Sequence, residues 1–493
     1  MLVVGLLIGL GACVPEPARP PPSFLLVVLD TTRVDAVSAY GNNNAMGTIT
    51  PATDRLAADG IRYTRAYAQA PWTLPSHATL FTGLIPSRHG VGWRRTYAPD
   101  TLVTLAEALR DAGYETVGVS ENPWISLAFN MVQGFERFTV TTGFTVEPEA
   151  PETSAQSHET VLAVAAWLRE RRGQRPFLLF VNLLDAHVPY RIRAENPFLP
   201  RGVGRGEARG VSQVPGDYLC RADTPARALA ILRGLYLGGV AAADAKLAAL
   251  RAQLHSAGID GNLVTIVTSD HGEHFGEHRM VGHQFSVRDQ LLHVPLVVHG
   301  LRDVAPAVID TPVALTDVMP TVLQSAGVRM PEGLAGRPLP VIPGASRTTS
   351  AIIAEHDDSD DDHTPQEPEI ARLIREGNRA ARRGCTSDDR VFGEMRALVR
   401  YPLKLVWYAR YPAELYDLSS DPEEQRDLAP MRPSAVAVLT AELGRMAESR
   451  GGGRPAPGGR SEGSTAPEIR ARLRALGYLG DTPDPDERSS PGR

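Results

Sequence analysis

Lysine is almost missing from this chain. Of 51 basic residues in 493, only Lys246 and Lys404 are lysines, so a site that neutralises an anion with lysine has at most these two to draw on. An excess of positive charge is also missing. The formal net charge is -6, which argues against a nucleic-acid surface. Beyond the first residues, no stretch is long and apolar enough to suggest a membrane helix. Cysteine occurs only at Cys13, Cys220 and Cys385, and no internal repeat is present. What remains is 43% apolar and 6% aromatic residues, the composition of an ordinary α/β protein. The length leaves room for more than one domain, since a single core rarely grows beyond about 300 residues.

The chain opens with a short apolar stretch that closes on Leu10-Gly11-Ala12-Cys13. Small residues before a cysteine resemble a bacterial lipoprotein cleavage site, with Cys13 becoming the lipidated N-terminus. The usual basic segment before the apolar stretch is missing, and a plain signal peptide or short anchor is the alternative. Pro15 to Pro22 then reads as an extended tether. The expectation is an exported lipoprotein, in the periplasm or at the cell surface, held to the membrane by lipid on Cys13. Export would put Cys220 and Cys385 in an oxidising compartment, where both a disulfide and two separate thiols stay open.

Strand and helix patterns alternate from Phe24 to about Gly327, which predicts a mostly parallel sheet flanked by helices. Helices are expected over Leu102–Gly113, His158–Arg172 and Leu235–Ala257. A smaller sheet is expected from Arg396–Tyr408 and Glu414–Leu418. The run from Glu355 to His363 reads as a solvated acidic loop, because it lacks the glycine of a calcium-binding EF-hand loop. The expected organisation is a signal and tether over 1–22, a catalytic α/β domain over 23–345 and a C-terminal subdomain over 346–450. A flexible linker, short helix and tail would fill 451–493.

The chemistry gathers where apolar strands end. Phe24–Leu29 runs into Asp30, Phe177–Leu184 into Asp185 and His187, and Leu263–Ser269 into Asp270 and His271. In open α/β sheets the ligand crevice lies outside the carboxyl ends of the strands, and carboxylate with imidazole suits a divalent metal. Each aspartate could instead cap a following helix. In Ala70-Pro71-Trp72-Thr73-Leu74-Pro75, Pro75 fits the first helical position and Gly83 the stop. Thr73 would then lie just before a helix N-terminus, where free N–H groups favour an anion.

These motifs together resemble the sulfatase family of the alkaline phosphatase superfamily. The match rests on Leu29–Asp35, Thr73–Gly83, Asp185–Tyr190, Thr268–His278, Glu414–Glu424 and Leu473–Gly480. The resemblance implies an alkaline-phosphatase-like α/β domain with a smaller C-terminal antiparallel sheet. It implies a metal held by Asp30, Asp270 and His271, with Thr73 in the nucleophile position and beside the ion. His187 and His283 fall where the family contacts the transferring group or a second metal, and Asn122 and His77 are substrate-contact candidates. His274 and His278 are further candidates for a second metal.

The departures from the family pattern are specific. Classical sulfatases carry Cys or Ser, then Pro two residues later and Arg two later again, and that Cys or Ser becomes formylglycine. Here the positions hold Thr73, Pro75 and His77, and the branched carbon of threonine cannot give an aldehyde. Thr31 replaces a second acidic ligand, and His271 replaces an asparagine. Fewer hard oxygens and more imidazole favour Zn²⁺ or Mn²⁺, with Ca²⁺ still open. The expected activity is metal-dependent hydrolysis of sulfuric or phosphoric esters, on a small molecule, glycan or lipid, through Thr73. A phospho-headgroup transferase and a non-catalytic binding lipoprotein are the alternatives.

Overall fold

Strand β1 (Ser23–Leu29) is apolar at every position after its first because both its faces are covered. Phe24, Leu26 and Val28 enter one core, while Leu25, Val27 and Leu29 enter the other. Strands β5 (Phe177–Leu183) and β6 (Leu263–Thr268) divide their side chains the same way, as expected for parallel strands buried on both faces. The computed structural model describes residues 20–41, 47–141, 155, 158–212, 224–344, 351–357, 390, 393–449, 467–476 and 478. Cys13, Cys220, Cys385, residues 358–363 of the acidic run and residues 451–466 lie outside them.

The central sheet has nine strands. Besides β1, β5 and β6 it contains β2 (Ile61–Tyr67), β3 (Glu115–Ser120), β4 (Arg137–Val140), β9 (His293–His299), β10 (Ala307–Ile309) and β11 (Val313–Ala314). The order is β10-β2-β9-β6-β1-β5-β3-β4, with β11 also beside β2. Only β9 runs against its neighbours, pairing antiparallel with β2 and β6. The carboxyl ends of β1, β2, β3, β5 and β6 therefore meet at one edge. Between β6 and β9 the chain makes a small hairpin, β7 (His274–Phe275) with β8 (Val281–Gly282).

Helices Thr73–Thr82, Leu105–Asp111, Val318–Ala326 and Pro467–Ala475 cover one face of the sheet, and Pro51–Asp59, Glu159–Glu170 and Ala226–Ser256 cover the other. The Leu105 helix begins at Thr104, whose side chain and that of Glu107 form a capping box, which explains a start later than Leu102. The Ala226–Ser256 helix begins nine residues earlier than the sequence pattern suggests. It has the length and hydropathy of a membrane span, yet 67% of its most apolar window is buried within the protein, as in a core helix. Gly239 on this helix has no room for a side chain, because a Cβ there would lie 2.2 Å from the Asp185 carbonyl. The helix backbone thus presses directly under the loop that follows β5.

A second sheet, β12 (Ile352–His356), β13 (Met395–Arg400), β14 (Leu403–Tyr408) and β15 (Glu414–Asp417), is antiparallel throughout. Glu355 and His356 belong to β12 and are buried, so this start of the acidic run is strand, not solvated loop. Lys404 docks this sheet on the larger one, reaching Asp289 and Glu424 at 2.9 Å each. Arg288 adds an ion pair to Glu414 at 2.7 Å.

Candidate active site

Strand register sets the site. Val28 of β1 stands opposite Asn182 of β5 and Thr268 of β6, and Ser120 of β3 also stands opposite Asn182. Two residues past Val28, Thr268 and Ser120 come Asp30, Asp270 and Asn122. Parallel pairing in this register delivers all three to the same level above the sheet edge.

Asp30, Asp270 and His271 offer ligand atoms that all lie within 4.8 Å of one another, and all three residues are buried. Asp270 Oδ1 accepts the N–H groups of Thr31 and His271 at 3.0 Å each, while Oδ2 has no hydrogen-bond partner. Thr31, a β-branched residue, donates to Oδ1 from a φ of 61°, a strained conformation for its type. Asp30 Oδ2 accepts from Asn122 at 2.9 Å and Asn182 at 3.0 Å. Among the described residues, Asp270 meets only imidazoles in ion-pair range, His271 at 3.4 Å and His77 at 3.5 Å. Burial holds the His271 imidazole down at about 3, with His283 beside it pushing the same way, so it brings no charge at neutral pH. Two buried carboxylates with an orphaned oxygen and no neighbouring cation among the described residues are costly, and they fit a divalent ion. The Nδ1 of His271 faces the Gly272 carbonyl at 2.9 Å, which fixes the ring and leaves Nε2 directed into the site.

Thr73 is the first residue of the Thr73–Thr82 helix, not the residue before it, and Pro75 is third. The helix accommodates this because the N–H that Pro75 lacks belongs to the unsatisfied first turn. Gly83 ends the helix at φ 64° with its N–H on the Thr79 carbonyl. Thr73 Oγ1 lies 3.4 Å from His271 Nε2, Asn122 Nδ2 and the Tyr478 hydroxyl. His77 lies beneath it. One ring nitrogen meets the Thr73 carbonyl at 2.9 Å and the other meets Asn182 Nδ2 at 3.2 Å. That geometry leaves neither nitrogen for a substrate.

His187 and His283 stand face to edge, ring centres 4.9 Å apart. Each Nδ1 is held by the protein, His187 by the Val188 carbonyl and His283 by Glu273 at 3.0 Å. Each Nε2 points at the Tyr478 hydroxyl, at 3.1 and 3.3 Å. Burial pushes the Glu273 carboxyl up to about 7, against the pull of His187. Burial likewise drives His283 well below the usual imidazole range. His274 and His278 form no second metal group with the other described residues. Their rings are 6.5 Å apart, and His278 is engaged by the Glu423 carbonyl.

Asp185 does not reach the metal group. It pairs with Lys246 at 2.6 Å, and Lys246 also reaches Glu121 at 2.9 Å. Both lysines of the chain are therefore spent in buried ion pairs. Sequence reading gave no role to Asn182, Glu273 or Tyr478. The only signal for Tyr478 was its place in the Leu473–Gly480 motif.

Fold and site together define an α/β ester hydrolase. The chain matches the Sulfatase family model over residues 22–328, and it belongs to the sulfatase family. Arylsulfatase K of Xenopus laevis is 26% identical over 426 residues, covering 78% of this chain and 75% of that one. Steryl-sulfatase of Mus musculus is 26% identical over 555 residues, covering 90% and 85%. Among solved structures, the phosphonate monoester hydrolase of Agrobacterium radiobacter superposes with a TM-score of 0.68 at 22% identity, covering 87% of this chain and 96% of that one.

Proposed function

We propose that this protein is a metal-dependent hydrolase that cleaves sulfuric or phosphoric esters through Thr73. The observation that carries the reading is the placement of the Thr73 hydroxyl at a helix N-terminus, 3.4 Å from His271 Nε2, beside two buried carboxylates. Asp30, Asp270 and His271 would hold the ion, with Thr73 completing the set. Two carboxylates and an imidazole favour Zn²⁺ or Mn²⁺ over Ca²⁺. When bound, the ion supplies Lewis-acid polarisation of the hydroxyl and of an ester oxygen.

The Thr73 oxygen attacks sulfur or phosphorus in line as the ester oxygen departs. His187 and His283 take up the Thr73 proton at Nε2 and pass it to the departing alcohol, the protonated ring donating to the transferring group in between. Water then hydrolyses the Thr73 ester. Asn122 Nδ2, already directed at Asp30 and Thr73, orients the incoming oxygens.

The charge balance narrows the substrate. Two carboxylates offset a divalent ion, the imidazoles of His271 and His283 are uncharged at neutral pH, and both lysines are engaged elsewhere. Such a site suits a singly charged ester, a sulfate monoester or a phosphate diester, better than a doubly charged phosphate monoester. Sulfated glycans fit this class. One superposing structure holds D-glucosamine-2-N,6-O-disulfate as its substrate.

A panel of chromogenic sulfate, phosphate monoester, phosphate diester and phosphonate esters across several metals tests the reading. Thr73→Ala should lose turnover by several powers of ten, about the scale of removing a covalent nucleophile. Thr73→Ser should keep part of it. A loss of only about tenfold in Thr73→Ala would mean that water attacks directly and Thr73 caps its helix. We further propose an exported protein anchored by lipid on Cys13, and a mature chain whose mass begins elsewhere refutes that.

A further inference from the structure

The residue at the centre of the site comes from the far end of the chain. Helix Pro467–Ala475 packs on the catalytic face of the large sheet, with Leu473 and Leu476 in the same core as Trp124 and Phe129. Arg472 pins it by donating to the Glu121 and Thr141 carbonyls at 2.9 and 2.7 Å. The Tyr478 N–H closes the helix end on the Leu473 carbonyl at 3.0 Å. The Tyr478 ring stands edge-on to Trp124, 5.3 Å between centres, and is 2% exposed.

Fixed at both ring and backbone, the hydroxyl lies 3.1 Å from His187 Nε2, 3.3 Å from His283 Nε2 and 3.4 Å from Thr73 Oγ1. Both imidazoles have Nδ1 committed to an acceptor, so each presents a lone pair at Nε2. The phenol carries the proton that these three groups share. A site whose two lysines are buried elsewhere still needs donors for the oxygens that gain charge in the transition state, and a fixed neutral O–H serves that purpose without adding charge.

We propose that Tyr478 is a catalytic residue, an oxyanion donor that the C-terminal segment delivers to the transferring group beside His187 and His283. This rests on the hydrolase reading above but is tested separately.

The test is Tyr478→Phe, which keeps the ring against Trp124 and removes only the hydroxyl, with Tyr478→Ala beside it. Tyr478→Phe should lower kcat by about 10²–10³, the scale of one oxyanion donor, with KM within a few-fold and an unchanged melting temperature. Orthovanadate binding to the metal-loaded protein, followed by calorimetry, should weaken in the same variant. If Tyr478→Phe keeps kcat within about threefold and binds vanadate like wild type, Tyr478 is packing and the proposal fails. If either variant turns over faster than wild type, Tyr478 is an occluding group and the proposal also fails. Should wild type cleave no ester at all, the hydrolase reading falls, and the vanadate comparison still decides whether the phenol meets the anion.

Discussion

Replacing Asp270 by Asn separates a metal ligand from a structural carboxylate. In wild type, Oδ1 takes two backbone N–H groups, from Thr31 and His271, and Oδ2 takes none. The asparagine oxygen can keep both backbone bonds. Its amide then occupies the Oδ2 position, 3.4 Å from His271 Nε2, where it can donate. The variant therefore loses a charge and a ligand without losing the scaffold. A ligand that binds only the folded state stabilises it by RT ln(1 + [L]/Kd), about 2.7 kcal/mol at a hundredfold excess over Kd.

For 493 residues the unfolding entropy at roughly 2.1 cal/mol/K per residue is about 1 kcal/mol/K, so that gain corresponds to about 3 °C. Wild type should lose about this much when a chelator strips the metal. Asp270→Asn should show no such shift. In chelator it should melt no lower than wild type, because the unpaired buried charge is gone. Scanning fluorimetry with and without chelator, paired with elemental analysis, reads all of these. A full metal-dependent shift in the variant would remove Asp270 from the ligand set. A variant that melts well below chelated wild type would make Asp270 a structural hub instead of a ligand.

Two further substitutions test how the site is supported. Lys246→Met leaves Glu121 and Asp185 without their shared cation and should cost about 3–5 kcal/mol at neutral pH. Burial alone would raise the Asp185 carboxyl, but Lys246 and Arg193 hold it below its ordinary range. This contribution is therefore complete above the unfolded value of about 3.9 and is lost as pH falls through the lower folded one. Urea unfolding across acidic pH should show the deficit of the variant shrinking in that window, and a deficit constant with pH refutes the pairing. Gly239→Ala drives a Cβ to 2.2 Å from the Asp185 carbonyl, so the loop bearing His187 must shift. Stability should fall by about 1–3 kcal/mol and turnover should fall with it, while an unchanged melting temperature would show that the helix yields without cost.

The sheet was legible because apolar runs such as Phe24–Leu29 are too short for most helices and fit strands covered on both faces, and their polar endings mark one edge. Parallel register then makes Asp30 and Asp270 neighbours, although 240 residues separate them. Helix starts were less legible. The Thr73 helix begins two residues before Pro75 because a proline is tolerated anywhere in the unsatisfied first turn. The Ala226 helix begins before the pattern suggests because its apolar positions encircle it, where it runs from the large sheet to the smaller cluster around Tyr236 and Phe275.

The parts of the site that sequence did not assign share one physical cause. Glu273 and Asn182 act through a partner, Tyr478 is carried in by one, and in each case the partner depends on packing rather than spacing. Glu273 looks like one more acid in a polar run until the β7–β8 hairpin folds His283 back on it at 3.0 Å. Tyr478 looks like a residue of a tail until Leu473 and Leu476 are buried. Sealing two such leucines and a tyrosine is worth on the order of 1.5–3 kcal/mol for each side chain, enough to hold a nine-residue helix that would be marginal alone. The same burial that anchors the helix sets where the phenol lies. The C-terminal apolar pattern therefore points to the proposed oxyanion donor only in combination with His187 and His283, between whose Nε2 atoms the hydroxyl lies.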